Sequence, residues 1–222
     1  MDLHDALYTT RAMRRLKRDP VPGEVIARIV DAGIRAPTGG NAQDWRFVTV
    51  TDPAVISRIA PHYQRGLGIL FGGHYKDANE QVRAAVAAGG ADQRTQQVAR
   101  VLNSSEHLSE HFAEVPLLVF GFTQTADNPG SIWPSLWSMC LAARAEGVGS
   151  TVTTVLNMYA HNEVNEILGV PSGKGWIQHG CLPMGYPLGK WGIPSRKPLE
   201  KVCYENEFGA VPSFNSPPAR LP

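Results

Sequence analysis

The sequence predicts a single α+β domain. Three observations predict it. Stretches with strand character intermix with amphipathic helices without forming clean βαβ units, which favours α+β over a doubly wound parallel sheet. The chain has 222 residues, enough to bury one sizeable core. Its hydrophobic share of 43% and charged share of 18% are those of a globular chain rather than a disordered one.

The elements follow in order. Asp2 to Thr10 reads as a short helix, and Pro20-Val21-Pro22-Gly23 breaks the chain after it. Glu24 to Arg35 sets Val25, Ile26, Ile29 and Val30 on one helical face, and Pro37 is expected to force its end. Trp45 to Thr51 is β-branched and aromatic, hence a strand. Asp52-Pro53 starts a helix expected to run to about Tyr63. Gly66 to Gly73 is glycine-rich and is expected to be a mobile loop, with helices on flexible joints from there to about Ser105. Val115 to Phe122 reads as a buried strand; its Pro116 lies near the start, where a missing N–H is tolerated. Ser131 to Glu146 is a long helix, with Ser131 as candidate cap and Gly147 as stop. Ile132, Leu136, Met139 and Ala143 share one face of it. Gly149 to Leu156 reads as strand or extended chain, Asn162 to Leu168 as a helix stopped by Gly169-Val170-Pro171, and Trp176 to Tyr186 as the next strand. After Lys201 comes a tail rich in Pro, Ser and Asn.

Several function classes are excluded. A net charge of +1 offers no broad surface for nucleic acid. No apolar run is long enough for a bilayer, and the N-terminus lacks a basic stretch followed by an apolar one. Cys140, Cys181 and Cys203 form neither a disulfide framework nor a CxxC pair, so a cytoplasmic protein is expected. Gly66-x-Gly68-x-x-x-Gly72 has the wrong spacing for a dinucleotide fingerprint. His107-Leu108-Ser109-Glu110-His111 matches H-x-x-E-H, a zinc-hydrolase pattern. No downstream signature supplies a third ligand, so the histidines are read as a solvated helix face and no metal is expected. Cys181, in a strand without a basic partner, reads as core packing. Trp133 and Trp137, four apart on one helix, read as core or interface.

Two segments carry chemistry. Arg11-Ala12-Met13-Arg14-Arg15 offers guanidinium groups for phosphate and for an anionic ring. Ala36-Pro37-Thr38-Gly39-Gly40-Asn41-Ala42-Gln43-Asp44-Trp45 offers a proline stop, a hydroxyl, glycine amides and two carboxamides. Together they are equipment for holding a flat, phosphorylated heterocycle.

These segments, in this order, resemble the FMN-dependent nitroreductase superfamily over roughly Leu3 to Gly209. Further blocks share the likeness: Leu141 to Gly149 followed by Thr151 to Thr154, then Leu182 to Pro187, then Ser195 to Glu200. The resemblance implies a central mixed or antiparallel sheet flanked by helices, in an intertwined homodimer with FMN at the subunit interface. Residues 1–222 would form one FMN-binding domain whose tail, about 203–222, wraps the partner. Arg11 and Arg196 would meet the phosphate and Arg14 the pyrimidine edge, where a fixed cation favours the reduced, negatively charged ring. Ala12 stands where the family carries a serine, and Thr10 where it carries an arginine. Thr38 and Gly39 match the family's turn beside the flavin, and Asn41 and Gln43 its carboxamides. Asp44 replaces its proline. Val152, Thr153 and Thr154 match the segment that crosses the ring near N5, where Arg14 and Thr154 would tune the flavin. No protein group acts as nucleophile.

The function so implied is hydride transfer from NADH or NADPH, through flavin N5, to nitroaromatics, quinones or other small planar electron acceptors in ping-pong order. Two alternatives stand beside it. One is a specialised member of the superfamily, a reductive dehalogenase or flavin-dependent oxidase, since Thr153-Thr154-Val155-Leu156-Asn157 also resembles the deiodinase branch. The other is a flavin-binding protein without catalysis. Neither a nucleic acid nor a membrane is expected as partner.

Overall fold

A computed structural model of the chain describes residues 1–124, 129–215 and 217. Four strands, β1 (Trp45–Val50), β2 (Leu117–Thr123), β3 (Gly149–Ser150) and β4 (Ile177–Gly185), form one sheet in the order β1-β2-β4-β3. All its pairings are antiparallel. The segment after the first helix runs along the β3 edge and adds a single parallel bridge, Ala12 to Ser150. The helices are α1 (Leu3–Thr9), α2 (Gly23–Gly33), α3 (Pro53–Gly72), α4 (Lys76–Ala87), α5 (Gln93–Glu110), α6 (Ile132–Ala145) and α7 (Val155–Ile167).

Both faces of the sheet are covered, so β2 is buried along its whole length and shows none of the alternation of a half-solvated antiparallel strand. Leu118, Phe120 and Phe122 point to one side, among Ile56, Ile59 and Tyr63 of α3 and Leu156 of α7. Leu117 and Val119 point to the other, among Ile29 of α2 and Leu136 and Met139 of α6. The four residues expected on one face of α6 are all buried. Gly147, at φ 74°, ends that helix in the left-handed conformation that glycine adopts without a Cβ clash. Ser131 precedes α6 without a side-chain capping bond. Asp52 caps α3 by accepting the Ala54 N–H at 2.8 Å, with Pro53 in the first turn.

Three expectations need correction. The glycine-rich run from Gly66 is not a loop: α3 continues through it to Gly72. Gly66 serves close approach, since a Cβ there would sit 2.8 Å from Val155 Cγ1 on α7. The β-branched stretch Gly149 to Leu156 is strand for two residues and makes one further bridge, Thr153 to Cys181; Val155 and Leu156 already belong to α7, which therefore begins before Asn162. The helices expected from the glycine-rich run to about Ser105 are present as α4 and α5, α5 being capped by Asp92 on the Thr95 N–H at 2.7 Å. Trp133 and Trp137 are 36% and 42% exposed, so they are not core of this chain. Of the expected tail, residues 216 and 218–222 lie outside the described residues. Among the described residues no helix is long and apolar enough to cross a membrane.

Candidate functional site

Two corners of the sheet carry the residues singled out by sequence. At the β3 corner, Met13 is buried and its N–H donates to the Ser150 carbonyl at 2.9 Å, which pins the extended segment Arg11–Leu16 to the sheet edge. Arg11 Nη2 donates to the Lys190 carbonyl at 2.9 Å. Arg14 Nη1 donates to Ser104 Oγ of α5 at 3.3 Å. Arg18, Arg28, Arg35, Arg65 and Arg83 each pair with a carboxylate. Arg11 and Arg14 have no such partner among the described residues, although Arg14 is half-buried. Burial lowers the Arg14 pKa from its ordinary value and the neighbouring Tyr63 opposes this; a guanidinium stays charged regardless. This donor set suits an anion.

Thr153 and its neighbours follow along the same edge, with Thr153 opposite Cys181 at the middle of β4. Thr153 exchanges both backbone bonds with Cys181, each 2.9 Å, and its hydroxyl accepts the Val155 N–H at 3.3 Å. Alternation along this bridge turns the Val152 N–H away from β4. Val152 is 41% exposed between buried Thr151 and Thr153. Thr154 caps the start of α7 by position, its hydroxyl donating to Met158 Sδ at 3.5 Å. Tyr63 ties these parts together. It is buried, stacks on Phe112 with ring centroids 4.1 Å apart, and lies against both Thr153 and Arg14. Burial raises the phenol's pKa, and the hydrogen bond to Thr153 and the charge of Arg14 oppose the rise.

The second group sits elsewhere. Thr38, Gly39, Asn41 and Gln43 form an exposed turn leading into β1, and Asp44 at its end acts on His179 of β4. The turn is strained: Gly40, Asn41 and Gln43 all have positive φ, 59°, 55° and 50°. It is held by the Gln43 N–H donating to Thr38 Oγ1 at 3.2 Å and by Gln43 Nε2 donating to Asn41 Oδ1 at 3.1 Å. Trp45 pairs with Thr123, which pairs with Ile177, whereas Ala12 bridges Ser150, which pairs with Met184. The two groups are therefore separated by seven residues along β4, roughly 23 Å, and by four strand spacings, roughly 19 Å. One chain does not bring them together. Arg196 lies six residues beyond Lys190, and its guanidinium bonds the Ser195 carbonyl at 3.0 Å.

Sequence reading missed Tyr63 and Ser104. Tyr63 was legible as the aromatic member of the buried Ile56, Ile59, Ala60, Tyr63, Leu67 stripe of α3; Ser104 carries no such signal. It also missed a cavity of about 350 Å³ under α7, lined by Asn157, His161, Asn165 and Gln178 among others. Gln178 is 2% exposed, and neither of its amide atoms has a partner among the described residues. A glutamine, followed by His179, at the start of a strand that is apolar from there on was the available sign.

The chain resembles known proteins in sequence and in fold. An NADH dehydrogenase of Thermus thermophilus is 27% identical over 214 residues, covering 91% of this chain and 95% of that protein. A 5,6-dimethylbenzimidazole synthase of Rhodospirillum rubrum is 28% identical over 217 residues, covering 91% and 89%. The crystal structure of an iodotyrosine deiodinase bound to FMN and 3-iodo-L-tyrosine superposes with a TM-score of 0.66 at 21% identity, over 88% of this chain and 95% of that one; at that identity it speaks for the fold. The model of the nitroreductase family matches residues 7–186. With a matching fold, and with the match spanning both groups described above from Arg11 to Thr154, the chain belongs to the nitroreductase family.

Proposed function

We propose that the protein is an FMN-dependent oxidoreductase that moves hydride from NADH or NADPH to small planar acceptors such as nitroaromatics and quinones. It works as a homodimer in which each flavin is held by both subunits. One observation carries the reading: Arg14, without a carboxylate partner among the described residues, lies against Tyr63, which in turn lies against the bridge-forming Thr153 just before α7. Bound FMN supplies hydride acceptance and release at N5. In this reading Arg11 and Arg196 bind the phosphate, Arg14 holds positive charge at the pyrimidine edge, and the extended segment Val152–Thr154 lies along the ring with backbone donors. Ala12 packs beside the phosphate without a hydroxyl of its own. Thr38, Gly39, Asn41 and Gln43 reach the ring of the partner's flavin. The sequence likeness to an NADH dehydrogenase supports the nicotinamide reductant.

The homodimer is supported by the separation of the two groups and by apolar surface that one chain leaves in water. Trp133 and Trp137 form one such stripe. Val202, Tyr204, Phe208 and Val211 form another, in the tail expected to wrap the partner. The test is reconstitution. Purified protein should be yellow, or become so with FMN, at one FMN per chain, and NADH or NADPH should bleach it without oxygen. Colourless protein that takes up no FMN defeats the proposal, and bound flavin that neither nucleotide reduces turns it into a binding protein. If nicotinamide and acceptor share one flavin face, steady-state kinetics with nitroaromatics and quinones give parallel double-reciprocal lines. An acceptor panel that includes halogenated phenols separates general reduction from the specialised chemistry named for the deiodinase relative.

A further inference from the structure

We propose that the last turn of α5 binds a divalent transition-metal ion through His107, Glu110 and His111. Positions i, i+3 and i+4 of a helix are neighbours on its surface, and here one ligand atom from each of the three side chains lies within 4.8 Å of the other two. The two imidazoles stack with centroids 4.1 Å apart and planes 24° apart. A second contact sets the chemistry of one of them. His111 Nδ1 lies 2.9 Å from the His107 carbonyl oxygen. A carbonyl only accepts, so Nδ1 carries the hydrogen and Nε2 keeps its lone pair. A backbone carbonyl on the other ring nitrogen is how metal-binding imidazoles are oriented.

The charges around the group are mixed, with Arg14, Arg15, Lys17 and Arg18 near it as well as carboxylates, so the donor atoms and not the net charge select the ligand. Arg15 faces His107, and so do Glu110 and Glu114. Glu114 is engaged by Arg18 and Glu106 by Arg83, whereas Glu110 has no ion-pair partner among the described residues. Two imidazoles and one carboxylate suit Zn²⁺, Co²⁺ or Ni²⁺ rather than Mg²⁺ or Ca²⁺. Four-coordination leaves one position for water or an incoming donor. Both histidines line a cleft of about 450 Å³ that also touches Arg14 and Lys17, so that position has room. The three ligands lie on α5, apart from Thr153 and the turn at Thr38, and the cleft they line shares Arg14 with the flavin site proposed above.

The test is titration of the full flavin-loaded chain with Co²⁺, followed by equilibrium dialysis and by the visible absorption of the bound ion. One Co²⁺ per chain is expected, displaced by Zn²⁺. His107→Ala and His111→Ala should each weaken binding by about 100-fold or more, Glu110→Gln by less, and His161→Ala, on exposed α7 surface, not at all. Circular dichroism without metal checks that each variant is folded. No retained Co²⁺, or retention unchanged in both His107→Ala and His111→Ala, overturns the proposal.

Discussion

Arg14 is held by a hydroxyl, from Ser104, and among the described residues no carboxylate neutralises its positive charge. At a flavin edge such a charge acts on electronics more than on attachment. Arg14→Ala should lower the flavin reduction potential and slow reduction by NADH or NADPH more than it weakens FMN binding, the lost charge-assisted contact being worth about 1.5–3 kcal/mol. Arg196→Ala should do the reverse. Potentiometry, stopped flow and FMN titration of the two variants check this, and identical profiles would remove the division of roles. The cysteines give a second prediction at this scale. Burial raises the Cys140 thiol to about 11 and Cys181 well above its ordinary value, whereas Cys203 is half-exposed. In native protein at pH 8 a thiol reagent should count one fast thiol, and three only after unfolding. The sign for stability follows. An unfolded thiol ionises near about 8.5 while folded Cys140 holds its proton to about 11, so the unfolded state binds fewer protons in that window and stability falls as pH rises through it.

Helix α3 shows how one residue type does two things within a single element. Gly66 faces α7, where an added Cβ meets Val155 Cγ1 at 2.8 Å and Tyr159 Cβ at 3.2 Å; Gly68, two residues on, has nothing within 4 Å. Gly66→Ala should therefore destabilise by about 1–3 kcal/mol through overpacking. Gly68→Ala should stabilise by up to about 1 kcal/mol through helix propensity. Urea midpoints should move in opposite directions, and a shift of the same sign in both would mean that the α3–α7 packing is wrong. The same helix marks the limit of reading elements from sequence. Where apolar residues recur with a clean period, as in α2 and α6, or run unbroken, as in β2, the element was legible. Gly66 to Gly73 reads as loop because glycine usually serves turns, yet here the sheet-facing Tyr63 and Leu67 hold the helix together across it. Gly149 to Leu156 reads as strand or extended chain because most of its residues from Thr151 on are β-branched, yet β4 offers Thr153 one bridge and α7 starts two residues later.

At the scale of the whole molecule, the site residues were legible by type and not by position. Arginines, a hydroxyl-glycine turn and carboxamides announce a phosphorylated heterocycle, but nothing in their spacing says that Arg14 and Gln43 stand at opposite corners of one sheet. That separation follows from the strand order β1-β2-β4-β3, which puts β1 and β3 on opposite edges, and strand order is not written in local pattern. If both groups serve one flavin, a two-fold dimer must supply them, one from each chain. Paired variants test this. Arg11→Ala/Arg14→Ala removes one half of the site and Thr38→Ala/Gln43→Ala the other, and each homodimer then carries two defective sites and should reduce acceptors poorly. A heterodimer of the two, isolated through a different affinity tag on each chain, gathers all four changes in one site and leaves the other with its native residues. It should show about half the activity of the native dimer, since one of its two equivalent sites is whole. Should each chain instead build its own site, every site in the heterodimer would still lack one group, and its activity would not exceed the mean of the parents.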